Sequence, residues 1–127
     1  MKRVTLPYVD RGPMRPTRPW KALAERYRWT PAFEPMAVLI EHVAAAPYAD
    51  RLFGYTSMHT LVIAQTAEVY ATQEVVRVEY SDETFLITCQ ERGLMEDVPE
   101  NDPIARRVPI DQAIAAFERL LRAKRWA

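Results

Sequence analysis

The chain has 127 residues, of which 49% are hydrophobic, and its formal charge at pH 7 is zero. This length and apolar fraction suit one globular domain with one core. The longest apolar run, residues 36–40, is far too short to cross a bilayer, so no membrane partner is expected. The first residues contain no apolar stretch of the kind found in secretory signals. The single cysteine excludes an internal disulfide, and we therefore expect a reducing, cytoplasmic location.

The charges are distributed unevenly along the chain. Residues 1–28 carry eight basic and two acidic side chains, and residues 104–127 carry six basic and two acidic ones, so the middle is strongly acidic. The basic ends could fold back over the acidic middle. Alternatively, either charge could serve a partner of opposite sign, such as nucleic acid or a basic protein.

Residues 1–18 form a basic segment rich in proline. Alternating apolar residues predict a strand over residues 3–9, and Pro7 restricts it to a sheet edge because proline cannot donate a ladder hydrogen bond. The prolines that follow predict an extended strap over a hydrophobic surface. A basic arm that binds a phosphate backbone is the alternative. Together with basic residues near the C-terminus, the candidate nucleic-acid contacts are Arg3, Arg11, Arg15, Arg18, Arg122, Lys124 and Arg125.

Three helices are predicted from apolar residues at helical spacing. The first spans residues 19–28, where proline suits the first turn. The second, over residues 36–46, is the most apolar and should pack most deeply on the sheet. The third spans residues 112–125, with Asp111 as its N-cap. In and after the first helix, one aromatic cluster is either core or a stacking platform of the kind that binds single strands: Trp20, Tyr27 and Trp29.

Residues 52–65 hold the only cluster that suggests chemistry. From Thr56 onward the alternation predicts one long strand that is apolar on both faces and therefore central or covered twice. On such a strand Ser57 and His59 share a face, as a nucleophile and its base require, and Tyr55 lies close by. No Gly-x-Ser-x-Gly elbow and no assigned acid accompany them. A small enzyme that uses these three residues is one hypothesis, and a hydrogen-bonded turn with a structural histidine is the other.

Residues 75–91 predict a β-hairpin with a four-residue connection at residues 81–84. The expected register pairs Tyr80 with Phe85, Val78 with Ile87 and Val76 with Cys89. One face of the hairpin is then wholly apolar, so it needs further strands and helices to cover it.

The segment after the hairpin is the most acidic part of the chain. Its spacing matches neither an EF-hand loop nor a paired-carboxylate site. A solvated loop and a contact surface for a basic protein partner are the two interpretations. The candidate binding residues are Glu96, Asp97, Glu100 and Asp102.

Metal and cofactor sites are not expected. His42, His59 and Cys89 lie on three different predicted elements, without the spacing of a zinc or iron site. The three glycines stand far apart, and none opens a phosphate-binding loop.

These elements predict a single α+β domain over residues 1–127, in which an antiparallel meander of three or four strands packs against N-terminal helices and a C-terminal helix. The layout resembles the small bacterial domains that include many immunity proteins of toxin systems, which implies neutralisation of a partner through an acidic or mixed surface. The leading hypothesis is a non-enzymatic protein-binding domain. Nucleic-acid binding and the small enzyme are the alternatives, and the oligomeric state stays open.

Overall fold

A computed structural model describes residues 14–91 and 105–127, which form an α+β fold. The helices are α1 (Trp20–Arg28), α2 (Glu34–Ala45) and α3 (Ala113–Ala123). The strands are β1 (Met14–Pro16), β2 (Phe53–Ser57), β3 (Thr60–Ala64), β4 (Glu68–Tyr70), β5 (Val75–Ser81), β6 (Thr84–Gln90) and β7 (Ala105–Pro109). Short 3₁₀ turns precede α2, β2 and α3.

The main sheet is antiparallel, with strands in the order β2-β3-β5-β6-β7. The prediction of three or four strands was therefore approximate. The predicted register of β5 against β6 is confirmed, with Tyr80 opposite Phe85 and Val76 opposite Cys89. Their connection is tighter than predicted, because Ser81 already pairs with Thr84. Only two residues form the turn, and both have the positive φ that a type I′ turn requires.

The three helices cover one face of this sheet and share one core with it. Leu61 of β3, Val78 of β5 and Phe85 of β6 are buried in that core. As predicted, α2 is deeply packed, with five of its residues at most 1% exposed. Burial of each large apolar side chain stabilises the fold by roughly 1.5–3 kcal/mol. Among the described residues, no helix has the length and apolar character needed to span a bilayer.

The opposite face of the sheet is covered by a ribbon of β1 and β4, which pair antiparallel. A second, smaller core lies beneath this ribbon, and it contains Tyr55, Val62, Ala64, Val69 and Val75. The strand β3 is therefore buried on both faces, as its sequence predicts. The described part of the proline-rich segment is anchored by Thr17, whose hydroxyl donates to the Ala67 carbonyl at 2.7 Å. The strand predicted over residues 3–9 lies outside the described residues.

The prediction of one long strand from Thr56 is wrong. The chain reverses at Met58 and His59, and Ser57 pairs with Thr60 across a hairpin. Hairpin turns are normally indicated by glycine, asparagine or aspartate, which tolerate a positive φ. Here Met58 adopts φ 58° instead, so the sequence lacks the residues that usually indicate such a turn.

The C-terminal helix also begins differently from the prediction. Asp111 is not its N-cap, because it lies in the 3₁₀ turn Ile110–Gln112, and no side chain caps the helix. Its other end forms a Schellman motif. Arg125 has φ 63°, and the Trp126 amide donates to the Leu121 carbonyl at 2.8 Å. This reversal returns Trp126 to the main core.

Candidate functional site

Exposed apolar side chains gather at the end of α1 and at the turn between β2 and β3. Trp29 is 81% exposed and Met58 is 84% exposed. Trp29, Phe33 and His59 line one small cleft, and Met58 directly precedes His59. We call Trp29, Phe33, Met58 and His59 the aromatic patch. Single exposed apolar residues are ordinary on a protein surface, whereas a group of them marks an interaction site.

Buried groups hold the aromatic patch in place. The hydroxyl of Tyr27, on the inner face of α1, donates to the His59 carbonyl at 2.9 Å. Burial raises the pKa of Tyr27, so this hydroxyl remains a donor. The rings of Phe33 and His59 stack with centroids 4.8 Å apart, and Tyr80 meets Phe33 edge-on at 6.3 Å. The hairpin turn is thereby fixed against α1 and the 3₁₀ turn that follows it.

Met58 combines backbone strain with exposure. A positive φ at the first of two turn residues is the position that type II′ turns give to glycine. A left-handed conformation costs a residue with a Cβ atom about 1–2 kcal/mol. The methionine side chain packs on little of its own protein, because it is 84% exposed. Strain without a packing gain is typical of residues kept for function.

A second feature, which we call the arginine groove, begins on the other side of Trp29. It is an open groove of about 880 Å³ between α1 and β2, and its lining includes Arg18, Arg26, Arg28 and Thr56. The Arg28 guanidinium is neutralised within the fold, by Glu34 at 3.0 Å and by Glu41 at 2.9 Å. Arg18 and Arg26 are exposed. Among the described residues, neither has an acidic partner within salt-bridge distance.

Comparisons with known proteins do not narrow the function. No family model, curated protein or solved structure matches this chain. Nor do residues 14–91 and 105–127 bring three or more His, Cys, Asp or Glu side chains together in a way that could hold a metal ion. The function therefore has to be argued from the surface itself.

The proposed catalytic residues occupy three different environments. Tyr55 is buried in the second core, where burial raises its pKa, and the Arg15 guanidinium lies 5.8 Å from its ring centroid. Ser57 ends β2 and is half-buried, whereas His59 is exposed in the turn. The geometric basis for pairing Ser57 with His59 is wrong. Both residues were predicted to lie on one strand, but that strand ends at Ser57. A chemical role for either residue stays a prediction.

The aromatic cluster predicted around α1 is divided by the fold. Tyr27 is buried in the main core, and Trp20 packs against Gly54 of β2. A Cβ atom on Gly54 would lie 2.8 Å from the Trp20 ring, so this close approach requires glycine. Only Trp29 remains available as a platform.

The predicted nucleic-acid contacts are only partly described. Arg15, Arg18, Arg122 and Arg125 are exposed. Lys124 is instead engaged within the fold, as set out below. Arg3 and Arg11 lie outside the described residues, and so do the acidic candidates Glu96, Asp97, Glu100 and Asp102.

Lys124 is the centre of a half-buried cluster that we call the lysine clasp: Glu74, Cys89, Lys124 and Trp126. The ammonium group contacts the Glu74 carboxylate, lies 3.0 Å from the Cys89 sulfur and sits 4.6 Å from the Trp126 ring centroid. Burial opposes the charge on Lys124, but the contacts with Glu74 and Cys89 together outweigh it and raise the lysine pKa. Burial also raises the pKa of the Cys89 thiol, although Lys124 partly offsets this. The clasp connects the C-terminal end of α3 to β6.

A second polar cluster joins α2 to α3. His42 Nε2 lies 2.6 Å from the Glu118 carboxylate, and the Tyr48 hydroxyl donates to the same oxygen at 2.9 Å. These hydrogen bonds, from His42 first and Tyr48 second, hold the pKa of Glu118 below its usual value. A histidine oriented by a carboxylate can act as a base. Among the described residues, no Ser, Cys or Thr side chain hydrogen-bonds to this histidine. The cluster links α2 to α3.

Sequence reasoning missed two residues of the site. Met58 was taken as one apolar position of a strand, and Arg26 only as a neighbour of a stacking platform. The signal available for Met58 was weak: Ser57 and Thr60 flank a short break in the apolar run. For Arg26 no signal existed, because the groove forms only where α1 meets β2.

Proposed function

We propose that this protein is a non-enzymatic domain that binds another protein through the aromatic patch. The observation that carries the proposal is Met58, an exposed apolar side chain on a strained backbone. It directly precedes His59, which shares a cleft with the exposed Trp29. Tryptophan, methionine and arginine are enriched at protein interfaces, and tryptophan and arginine supply most energetic hot spots. The single cysteine is consistent with a cytoplasmic site of action.

The test compares affinity capture by the wild-type chain with capture by the Trp29→Ala variant. Proteins retained by the first and lost by the second are then purified and titrated directly by calorimetry. We expect Trp29→Ala to weaken binding by at least about 2 kcal/mol, as for a hot-spot residue. Ile110→Ala is the matched control, since Ile110 is also exposed but lies before α3. Equal binding by wild type and Trp29→Ala would refute the proposal.

A rival form of protein binding is an immunity-type protein that neutralises its partner through an acidic surface. It gives the decisive contacts to Glu96, Asp97, Glu100 and Asp102. Replacing these four residues by lysine should then abolish binding while Trp29→Ala leaves it intact. This outcome is the reverse of the one expected for the aromatic patch, so one set of titrations separates the two forms.

Nucleic-acid binding is the second candidate function, favoured by the exposed Trp29 beside Arg18 and Arg26, which have no acidic partner within residues 14–91 and 105–127. Base stacking on such a platform contributes about 1–3 kcal/mol per base. This function requires that binding of a labelled oligo(dT) fall steeply with salt and fall again in Trp29→Ala. Absence of binding at low salt would exclude it.

A further inference from the structure

The arginine groove carries positive charge that no acidic side chain of the described residues neutralises. Its three arginines face one acidic lining residue, Glu25. Arg28 is already neutralised by two glutamates on α2, Glu34 and Glu41. Arg18 and Arg26 remain, exposed and without an acidic partner among the described residues. The groove therefore presents uncompensated positive charge beside an apolar shelf, the ring of Trp29.

The chain holds these two arginines in separate but fixed positions. Arg26 lies in the last turn of α1, whose preceding residues Leu23 and Ala24 are buried in the main core. Arg18 is held by its backbone amide, which donates to the Gly54 carbonyl at 2.9 Å. Both guanidinium groups thus extend from anchored backbone and line the groove. A planar guanidinium matches the geometry of a carboxylate, to which it donates two parallel hydrogen bonds.

Resting on the proposed protein-binding function, we propose that the arginine groove receives an acidic segment of the partner protein. Aspartate or glutamate side chains of that segment pair with Arg18 and Arg26, and an adjacent apolar or aromatic side chain packs on Trp29. The volume of about 880 Å³ is sufficient for several side chains of a peptide. The groove adjoins the aromatic patch through Trp29, so one partner can occupy both.

The test is a selection of random linear peptides displayed against the wild-type protein, followed by titration of each selected peptide against wild type and against the Arg18→Glu/Arg26→Glu double variant. We expect the selected peptides to carry net negative charge and at least one apolar or aromatic residue. The affinity of a selected peptide should fall at least about tenfold in the double variant, because like charges then face each other. It should also weaken as salt rises. The matched control Arg119→Glu/Arg122→Glu makes the same change of charge on α3 and should leave the affinity unchanged.

A fluorescence measurement tests whether the bound peptide packs on the ring of Trp29. Trp29 is the most exposed tryptophan of the described chain, so a bound peptide should shift its emission to shorter wavelength. Trp29→Phe should abolish this shift while retaining most of the affinity. Thermal unfolding of every variant shows whether the fold is intact.

Other outcomes decide against the proposal. Selection of neutral or basic peptides, or of none, overturns it, and so does tighter binding of oligo(dT) than of any selected peptide. Peptides that bind the double variant as well as wild type, yet lose affinity in Trp29→Ala, overturn the acidic segment and leave the proposed function standing. If a purified partner binds Trp29→Ala undiminished, the proposed function itself fails.

Discussion

Two helices of this protein have an Arg-Trp dipeptide at or just after their C-terminal end, and the two tryptophans lie in opposite environments. Arg28 and Trp29 come at the end of α1, and Arg125 and Trp126 come just after α3. Trp29 is 81% exposed and borders both the aromatic patch and the arginine groove, whereas Trp126 is 6% exposed and belongs to the main core. The amino-acid types alone therefore do not decide whether such a tryptophan stabilises the fold or faces a partner.

The backbone decides it. After α3, the left-handed Arg125 reverses the chain and lets Trp126 fold back beside Leu121. After α1, Trp29 keeps right-handed dihedral angles, with φ −64° and ψ −21°, and the 3₁₀ turn Pro31–Phe33 follows. The nearby cations follow the same division: Lys124 lies in the lysine clasp, whereas Arg26 has no acidic partner within salt-bridge distance among the described residues. We therefore expect recognition and stability to depend on similar residues at two separate helix ends.

The largest expected difference between the two ends concerns the tryptophans. Trp126→Ala should lower the free energy of unfolding by about 3–5 kcal/mol, because it leaves a cavity in the core. Trp29→Ala should change it by no more than about 0.5 kcal/mol, as is usual for an exposed side chain. Urea denaturation followed by circular dichroism measures both. Similar losses in the two variants would contradict the comparison.

The basic residues at the two helix ends should also differ in their contribution to the free energy of unfolding. Lys124→Ala removes a charged hydrogen bond in a half-buried site and should cost about 1–3 kcal/mol. Arg26→Ala should leave the free energy of unfolding within about 0.5 kcal/mol of wild type. The same denaturation experiment tests this pair, and an unchanged stability in Lys124→Ala would show that the lysine clasp contributes nothing.

The two strained residues offer a sharper separation of stability from binding. Met58→Gly and Arg125→Gly each relieve a positive φ, and each should stabilise the fold by about 0.5–1 kcal/mol after the entropic cost of glycine. Only Met58→Gly should weaken partner binding. Thermal unfolding and partner titration of both variants give the comparison, and loss of stability in Met58→Gly would mean that its side chain supports the fold.

The smallest expected effect on stability concerns Glu118, in the polar cluster that joins α2 to α3, and it depends on pH. His42 and Tyr48 hold the pKa of Glu118 below its usual value of 4.5. The ionised carboxylate therefore contributes stability above about pH 4.5, and the contribution is lost as the pH falls through the lower folded-state pKa. The stability of wild type should exceed that of Glu118→Gln by less than about 1 kcal/mol near neutral pH, a margin that should shrink in acid. A margin independent of pH would exclude this ionic contribution.

Local patterns predicted the elements with strict periodicity. The alternation through Val76 and Val78 was sufficient to define the register of the β5–β6 hairpin, and the apolar run of α2 identified a deeply buried helix. The turn at Met58 could not be predicted, because tertiary contacts from Tyr27 and Phe33 hold a conformation that the local sequence disfavours. The arginine groove was equally inaccessible, since it requires knowledge of which helix lies beside β2.

The position of β3 between two cores has a consequence for how the molecule opens. Its side chains are covered by the helices on one face and by the β1–β4 ribbon on the other, and its backbone pairs with a strand on each side. Exchange of its amide protons with solvent therefore requires both layers to separate. We therefore expect the amides of β3 to be among the last to exchange, and the short ribbon to open before the helical layer.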